Sequence, residues 1–207
     1  VLARSVYTNI VCSFLRNKVI AVVTLYAALF LNIPGDIIMI EKVKSMTGIC
    51  PMCGHNHELV TQDIIIGSGA TEQLIAYIEK NSHTYVIICD TNTEKYARKI
   101  QSAAQAHVFV LPGNSHATEI TTAAAAEFAS PIKPDLFVAC GSGSIHDIVR
   151  YVACQMNVPF VSYPTAASVD GFVSGVAAMT WHGQKLTLPA KAPVAVFADD
   201  DVYAQAP

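Results

Sequence analysis

Between Asp63 and Ala198 the chain alternates short apolar runs with segments whose apolar residues recur at helical spacing. Runs at 63–66, 85–89, 107–111, 135–139 and 159–164 carry Ile, Val, Leu and Phe with few charges, the pattern of strands buried on both faces. Between them the spacing predicts helices over 70–80, 93–104, 117–128 and 145–156; the first keeps Leu74, Ile75 and Ile78 on one face. Strands alternating with helices of ten or more residues predict right-handed βαβ units and a parallel sheet. The fold class expected is therefore α/β, a Rossmann-like parallel sheet flanked by helices. After position 170 the rhythm changes: 176–181 and 185–188, joined through His182-Gly183, read as a small β-hairpin extension, and 194–198 as a last strand.

Composition sharpens this picture at a few points. A hydrophobic fraction of 52% against 14% charged residues suits a sheet covered on both sides. A net charge of −3 leaves no basic footprint, which argues against nucleic acid as a partner. Six cysteines are scattered without disulfide-scaffold density, so a reducing cytoplasm is the simpler location. The stretch from Val19 to Gly35 holds no charge and is bracketed by Lys18 and Asp36, 17 residues against the roughly 20 that span a bilayer. A buried helix, a membrane-associated extension and translated upstream sequence all remain open there, and a non-membrane chain is the preferred reading. Cys50, Cys53, His55 and His57 have the spacing of a metal knuckle, though ligands so close together strain a tetrahedral site, and a surface turn is the plainer reading. Domain organisation follows: an N-terminal extension over 1–57, then one α/β domain over 58–207.

Candidate chemistry gathers at the ends of three runs. Cys140-Gly-Ser-Gly-Ser-Ile-His-Asp147 joins a strand to a helix through glycines, the geometry that aims backbone N–H groups at a phosphate. Gly143, Ser144, Ile145, His146 and Asp147 are the candidate contacts, although a glycine turn also simply ends strands. Asp90 closes the second run, where an acidic residue can accept hydrogen bonds from ribose hydroxyls; Asp90-Thr91-Asn92 is equally good turn chemistry. Thr165, Ala166, Ala167 and Ser168 follow the fifth run and lead to Asp170-Gly171, itself a tight-turn pair. Asp199-Asp200-Asp201 reads as a solvated helix start rather than a cation site.

Taken together, Gly141–Asp147, Val158–Phe172, Ala192–Asp199 and Cys89–Thr93 closely resemble the bacterial branch of the glycerol-1-phosphate dehydrogenase family, within the iron-containing-alcohol-dehydrogenase-like group. The resemblance implies an NAD(P)-linked oxidoreductase that interconverts dihydroxyacetone phosphate and sn-glycerol 1-phosphate in phospholipid metabolism. It implies cofactor contacts at Asp90, Gly143, Ser144, Ile145, His146, Asp147, Thr165, Ala166, Ala167, Ser168 and Ser174, with Asp170 binding substrate. NAD is favoured over NADP by Asp90. The family's divalent metal, zinc or nickel, is held by an aspartate and two histidines in a helical C-terminal domain, which this resemblance places beyond Pro207. A cytoplasmic homo-oligomer is expected of the full-length protein, and these 207 residues alone are expected not to turn over substrate.

Overall fold

The computed structural model describes residues 47–51, 54–58, 60–103, 106–169 and 171–206. A short antiparallel pair comes first, β1 (Gly48–Ile49) with β2 (Asn56–His57). The alternating part then gives β3 (Asp63–Ile66), α1 (Ala70–Asn81), β4 (Tyr85–Asp90), α2 (Glu94–Ala103), β5 (His107–Leu111) and α3 (Glu119–Ala129). It continues with β6 (Leu136–Gly141), α4 (Gly143–Met156), β7 (Phe160–Pro164), the hairpin β8 (Val176–Trp181) and β9 (Gln184–Pro189), β10 (Ala195–Ala198) and α5 (Asp200–Tyr203). Six strands form one parallel sheet in the order β3-β10-β7-β6-β4-β5. The α/β architecture expected from the sequence is the one observed. The N-terminal apolar stretch, Cys53 and Asp170 lie outside the described residues.

Side-chain alternation along the strands decides which helix covers which face. In β4, Tyr85, Ile87 and Cys89 join a cluster with Leu74 and Ile78 of α1 and Ala97 and Ile100 of α2. Val86 and Ile88 point the other way, into a cluster with Ala125 and Ala129 of α3 and the stripe Ile145, Ile148, Val149 and Val152 of α4. The hairpin does not extend the sheet. Ala177 and Met179 pack into the second cluster, and the Thr180 N–H donates to the Ala117 carbonyl at 2.8 Å. No helix among the described residues is long and apolar enough to cross a membrane.

Two boundaries differ from the sequence expectation for identifiable reasons. The third helix starts at Glu119 because Thr118 caps it: its hydroxyl accepts from the Thr121 N–H at 3.2 Å, and the Thr121 hydroxyl returns to the Thr118 N–H. The fourth starts at Gly143, so the glycine turn is strand end and helix head at once.

Buried polar ties lock the layers together. One carboxylate, Asp199, serves two helices. Its Oδ2 accepts from the Thr71 backbone N–H at 2.9 Å and from the Thr71 hydroxyl, and its Oδ1 accepts from the Asp201 N–H at 3.0 Å. Because Thr71 donates to the carboxylate, the Tyr163 hydroxyl 2.6 Å away donates to Thr71. Asp199 is thus a buried cap rather than part of a solvated helix start; Asp200 and Asp201 are the exposed members of the trio. The second tie is His146, 1% exposed. Its Nδ1 lies 2.9 Å from the Ser142 carbonyl, which can only accept, so Nδ1 carries the hydrogen and Nε2 accepts from the Ser162 hydroxyl at 2.8 Å.

Both ties set acid sensitivity, in windows that open at different pH. Burial, with the Arg150 charge adding to it, pushes the His146 imidazole down to about 3 although the Ser142 hydrogen bond opposes this. The folded state resists a proton that the unfolded chain binds below about pH 6.5, so stability falls as pH drops from there toward the folded value. Burial works to raise the Asp199 carboxyl, but the hydrogen bonds from Thr71 and Asp201 outweigh it and hold the group below its ordinary value. Its contribution is therefore present above about pH 4 and lost as pH falls further. Denaturant titrations should show His146→Gln removing a slope of about 1.4 kcal/mol per pH unit between pH 6 and 4. Asp199→Asn should cost about 1–2 kcal/mol at pH 7 and less at pH 3. An unchanged slope, or an equal cost at both pH values, contradicts these assignments.

Candidate functional site

Strand order places the site. After β4 the chain steps outward to β5, and after β6 it steps the opposite way to β7 and then β10. Helices α2 and α4 consequently leave neighbouring strands toward opposite faces. A crevice opens between them at the C-terminal ends of β4 and β6, the usual ligand position in open parallel sheets.

Asp90 forms one wall. Its Oδ1 accepts from the Asn92 N–H at 3.0 Å, the Thr93 N–H at 2.9 Å and the Thr93 hydroxyl at 2.9 Å. The turn chemistry read from the sequence is therefore present, and it fixes the carboxylate rigidly. The Thr93 hydroxyl also lies 3.1 Å from the Cys140 carbonyl, so its single hydrogen is shared between the two strand ends. Asn92 reaches across to the Gly113 carbonyl at 2.9 Å, and a Cβ on Gly113 would sit 2.5 Å from the Asn92 amide.

The opposite wall is the head of α4. Gly141 admits no side chain: a Cβ there would lie 3.1 Å from both Ile145 Cγ1 and Thr93 Oγ1. Ser142 occupies the cap position but its side chain caps nothing, and its carbonyl is occupied by His146. The N–H groups of Gly143, Ser144 and Ile145 precede the first intrahelical acceptor, so they stand at the positive end of the helix without an intrahelical partner. A Cβ on Gly143 would meet nothing within 4 Å, so there is open space beside that residue. That combination fits an anionic diphosphate. Ile145 is buried, so what it can offer is its backbone N–H.

The other expected residues take several roles. His146 uses both ring nitrogens and its backbone N–H inside the protein, the last to the Ser142 carbonyl at 3.0 Å, and has no donor to offer a ligand. Asp147 is ion-paired to Arg150 at 2.6 Å. Thr165 is buried and its N–H reaches the Gly141 carbonyl at 3.3 Å, binding the second loop to the first. Ala166 is half-buried, while Ala167 and Ser168 are exposed. The Ser174 hydroxyl lies 3.0 Å from the Val176 carbonyl and 3.1 Å from the Val176 N–H, closing the turn into β8. Three residues that sequence reasoning missed hold the site in shape: Thr93, Ser162 and Arg150. Of these only Arg150 left a signal, a lone charge within the apolar stripe of its helix.

Among the described residues no three His, Cys, Asp or Glu side chains converge as a metal site. The Cys50 N–H donates to the His55 carbonyl at 2.9 Å; with Cys53 outside the described residues, the full four-residue set is not described.

Comparison with known proteins follows the same outline. Residues 65–207 match the iron-containing alcohol dehydrogenase family. A Bacillus subtilis (strain 168) protein named glycerol-1-phosphate dehydrogenase, NAD(P)+, is 40% identical over 157 residues, covering 70% of this chain and 40% of its own length. The protein of the same name from Bacillus licheniformis is 37% identical over 180 residues, with coverage of 82% and 45%. This chain therefore spans less than half the length of these curated relatives. Crystal structures of a putative alcohol dehydrogenase from Ralstonia eutropha JMP134 and of maleylacetate reductase from Agrobacterium tumefaciens share the fold, with TM-scores of 0.64 and 0.65. Their identities are 22% and 19%, and each alignment covers 71% of this chain and 43% of the other. With its parallel sheet, its open helix head at the switch point and a family match over most of its length, the chain belongs to the iron-containing alcohol dehydrogenases.

Proposed function

We propose that this chain is the dinucleotide-binding part of an NAD(P)-dependent sn-glycerol-1-phosphate dehydrogenase, with residues 58–207 as the binding domain and 1–57 as an extension. The observation that carries the reading is the row of N–H donors at Gly143, Ser144 and Ile145 at the head of α4, with open space beside Gly143 and a fixed Asp90 carboxylate at the end of the neighbouring strand. The names of the curated relatives support the choice of substrate. When bound, the nicotinamide supplies a hydride for reversible reduction of dihydroxyacetone phosphate to sn-glycerol 1-phosphate, a proton being taken up alongside. The chain's own residues bind and orient. Backbone donors at the head of α4 hold the diphosphate, and Asp90 accepts from ribose hydroxyls while repelling a 2′-phosphate. Thr165, Ala166, Ala167, Ser168 and Ser174 border the cofactor, and Asp170 accepts from a substrate hydroxyl. His146 is left out of this set because its donors are engaged elsewhere. The described residues do not fit a metal, and no step is assigned to one.

The decisive assay measures NADH-dependent reduction of dihydroxyacetone phosphate by the full-length gene product, with dihydroxyacetone as control. Selective reduction of the phosphorylated ketone is expected. Equal use of both ketones points to a glycerol dehydrogenase-like enzyme, and NADH binding without reduction of either to a non-catalytic nucleotide-binding protein. In the 207-residue chain, Gly143→Ala should leave thermal stability unchanged or higher, since the added methyl meets no protein atom. It should weaken NADH binding about tenfold or more, by intruding where the backbone must approach phosphate. Asp90→Asn retains the acceptor for Asn92 and Thr93 and removes the charge. It should shift the NADPH-to-NADH affinity ratio about tenfold toward NADPH, and an unchanged ratio would contradict the role given to Asp90.

A further inference from the structure

Arg150 is the largest side chain fully buried in the described residues, 1% exposed. It lies two turns along α4 from the open N–H donors, in a stripe that Leu or Met would fill at less cost, since a buried cation must recover several kcal/mol of lost hydration. Its hydrogen bonds show where that recovery comes from. Nη1 donates to Asp147 Oδ1 at 2.6 Å and to the Val176 carbonyl at 3.1 Å, and Nη2 donates to the Gly171 carbonyl. Nε is buried with no partner, so the guanidinium is not fully satisfied.

The two carbonyls bound by Arg150 bracket one short segment, 171–176. That segment already closes on itself: the Ser174 N–H donates to the Gly171 carbonyl at 2.9 Å, and the Ser174 hydroxyl lies 3.0 Å from the Val176 carbonyl. Each carbonyl therefore accepts twice, once from within the turn and once from Arg150. The inner bonds shape the turn, and the outer pair fixes its place against α4. The planar guanidinium reaches both ends with one rigid group, which a lysine ammonium cannot reproduce.

We infer that Arg150 is a positioning residue that seats the 171–176 turn, which follows Asp170 in the sequence, relative to the dinucleotide-holding head of α4. Ketone binding and dinucleotide binding are then held in register by a side chain that touches neither ligand. The inference rests on the dehydrogenase reading given above.

The test uses the full-length gene product as wild type, Arg150→Lys and Arg150→Met. Melting temperature, NADH affinity, and KM and kcat for dihydroxyacetone phosphate are measured on each. Both variants should keep NADH affinity within about threefold, while kcat/KM for the ketone falls about 100-fold in Arg150→Met and less in Arg150→Lys. Retention of kcat/KM in both, or loss of NADH affinity in step with it, overturns the inference and leaves Arg150 a packing residue. If Arg150→Met does not fold, Arg150→Lys carries the test alone. If wild type reduces neither ketone, the dehydrogenase reading fails, and amide exchange decides the clamp separately. Exchange about tenfold faster at 171–176 in Arg150→Lys, with 143–149 unchanged, sustains it; equal exchange overturns it.

Discussion

Double-sided burial of the central strands is the constraint from which the rest follows. Every residue of β4, β6 and β7 is buried, so a polar side chain within them is costly unless it is paired, and the Tyr85 hydroxyl, which has no partner, bears that cost. The exceptions are instructive. Ser162, in the middle of β7, is matched by the bare Nε2 of His146, and Asp90 stands at the last position of β4, where three donors meet it. Ligand chemistry is thereby driven to the strand ends. The reversal of strand order between β4 and β6 then determines which ends can form a crevice.

Strands and helices were legible because their signals are local. The apolar runs, Leu74 and Ile78 on one stripe, and the glycine turn ahead of α4 each declare themselves within a dozen residues. The ties that shape the site have no such signature. Thr71 and Asp199 are 128 positions apart, and His146 and Ser162 are 16 apart on different elements. Nothing in the Asp-Asp-Asp run announces that its first member turns inward to cap a distant helix. His146 shows the same effect of distance: beside a phosphate-type turn it reads as a ligand contact, and the hydroxyl that engages its Nε2 comes from the strand behind it. Arg150 was visible as an oddity, but the carbonyls it serves are defined by a turn whose folding the local sequence does not specify.

The result is a rigid seat made of soft materials. Gly141 leaves no ordinary room for a side chain beside Thr93 and Ile145, and Thr93 and Thr165 each join adjacent strand ends through a hydrogen bond, to the Cys140 and Gly141 carbonyls. Each such bond contributes about 1 kcal/mol, too little to order a loop alone. Cooperation with the packed sheet beneath makes them sufficient. Backbone donors held this way need not reorganise when an anion arrives, which is the condition for electrostatic preorganisation.

The sheet's connectivity also has a consequence for biosynthesis. Among the described residues β3 pairs with β10 alone, and Asp199, which caps α1, follows that strand. At ribosomal rates the 128 positions between Thr71 and Asp199 take roughly 6–25 s to make. During that interval the nascent chain can pair β4, β5, β6 and β7 and pack part of the α1 stripe on β4, but β3 has no partner strand and α1 lacks the β10 side of its seat and its Asp199 cap. The first strand of the sheet to leave the ribosome is thus the last to dock. A molecular chaperone that shelters emerging hydrophobic segments would find its binding site in that waiting element, not in the strands at the centre.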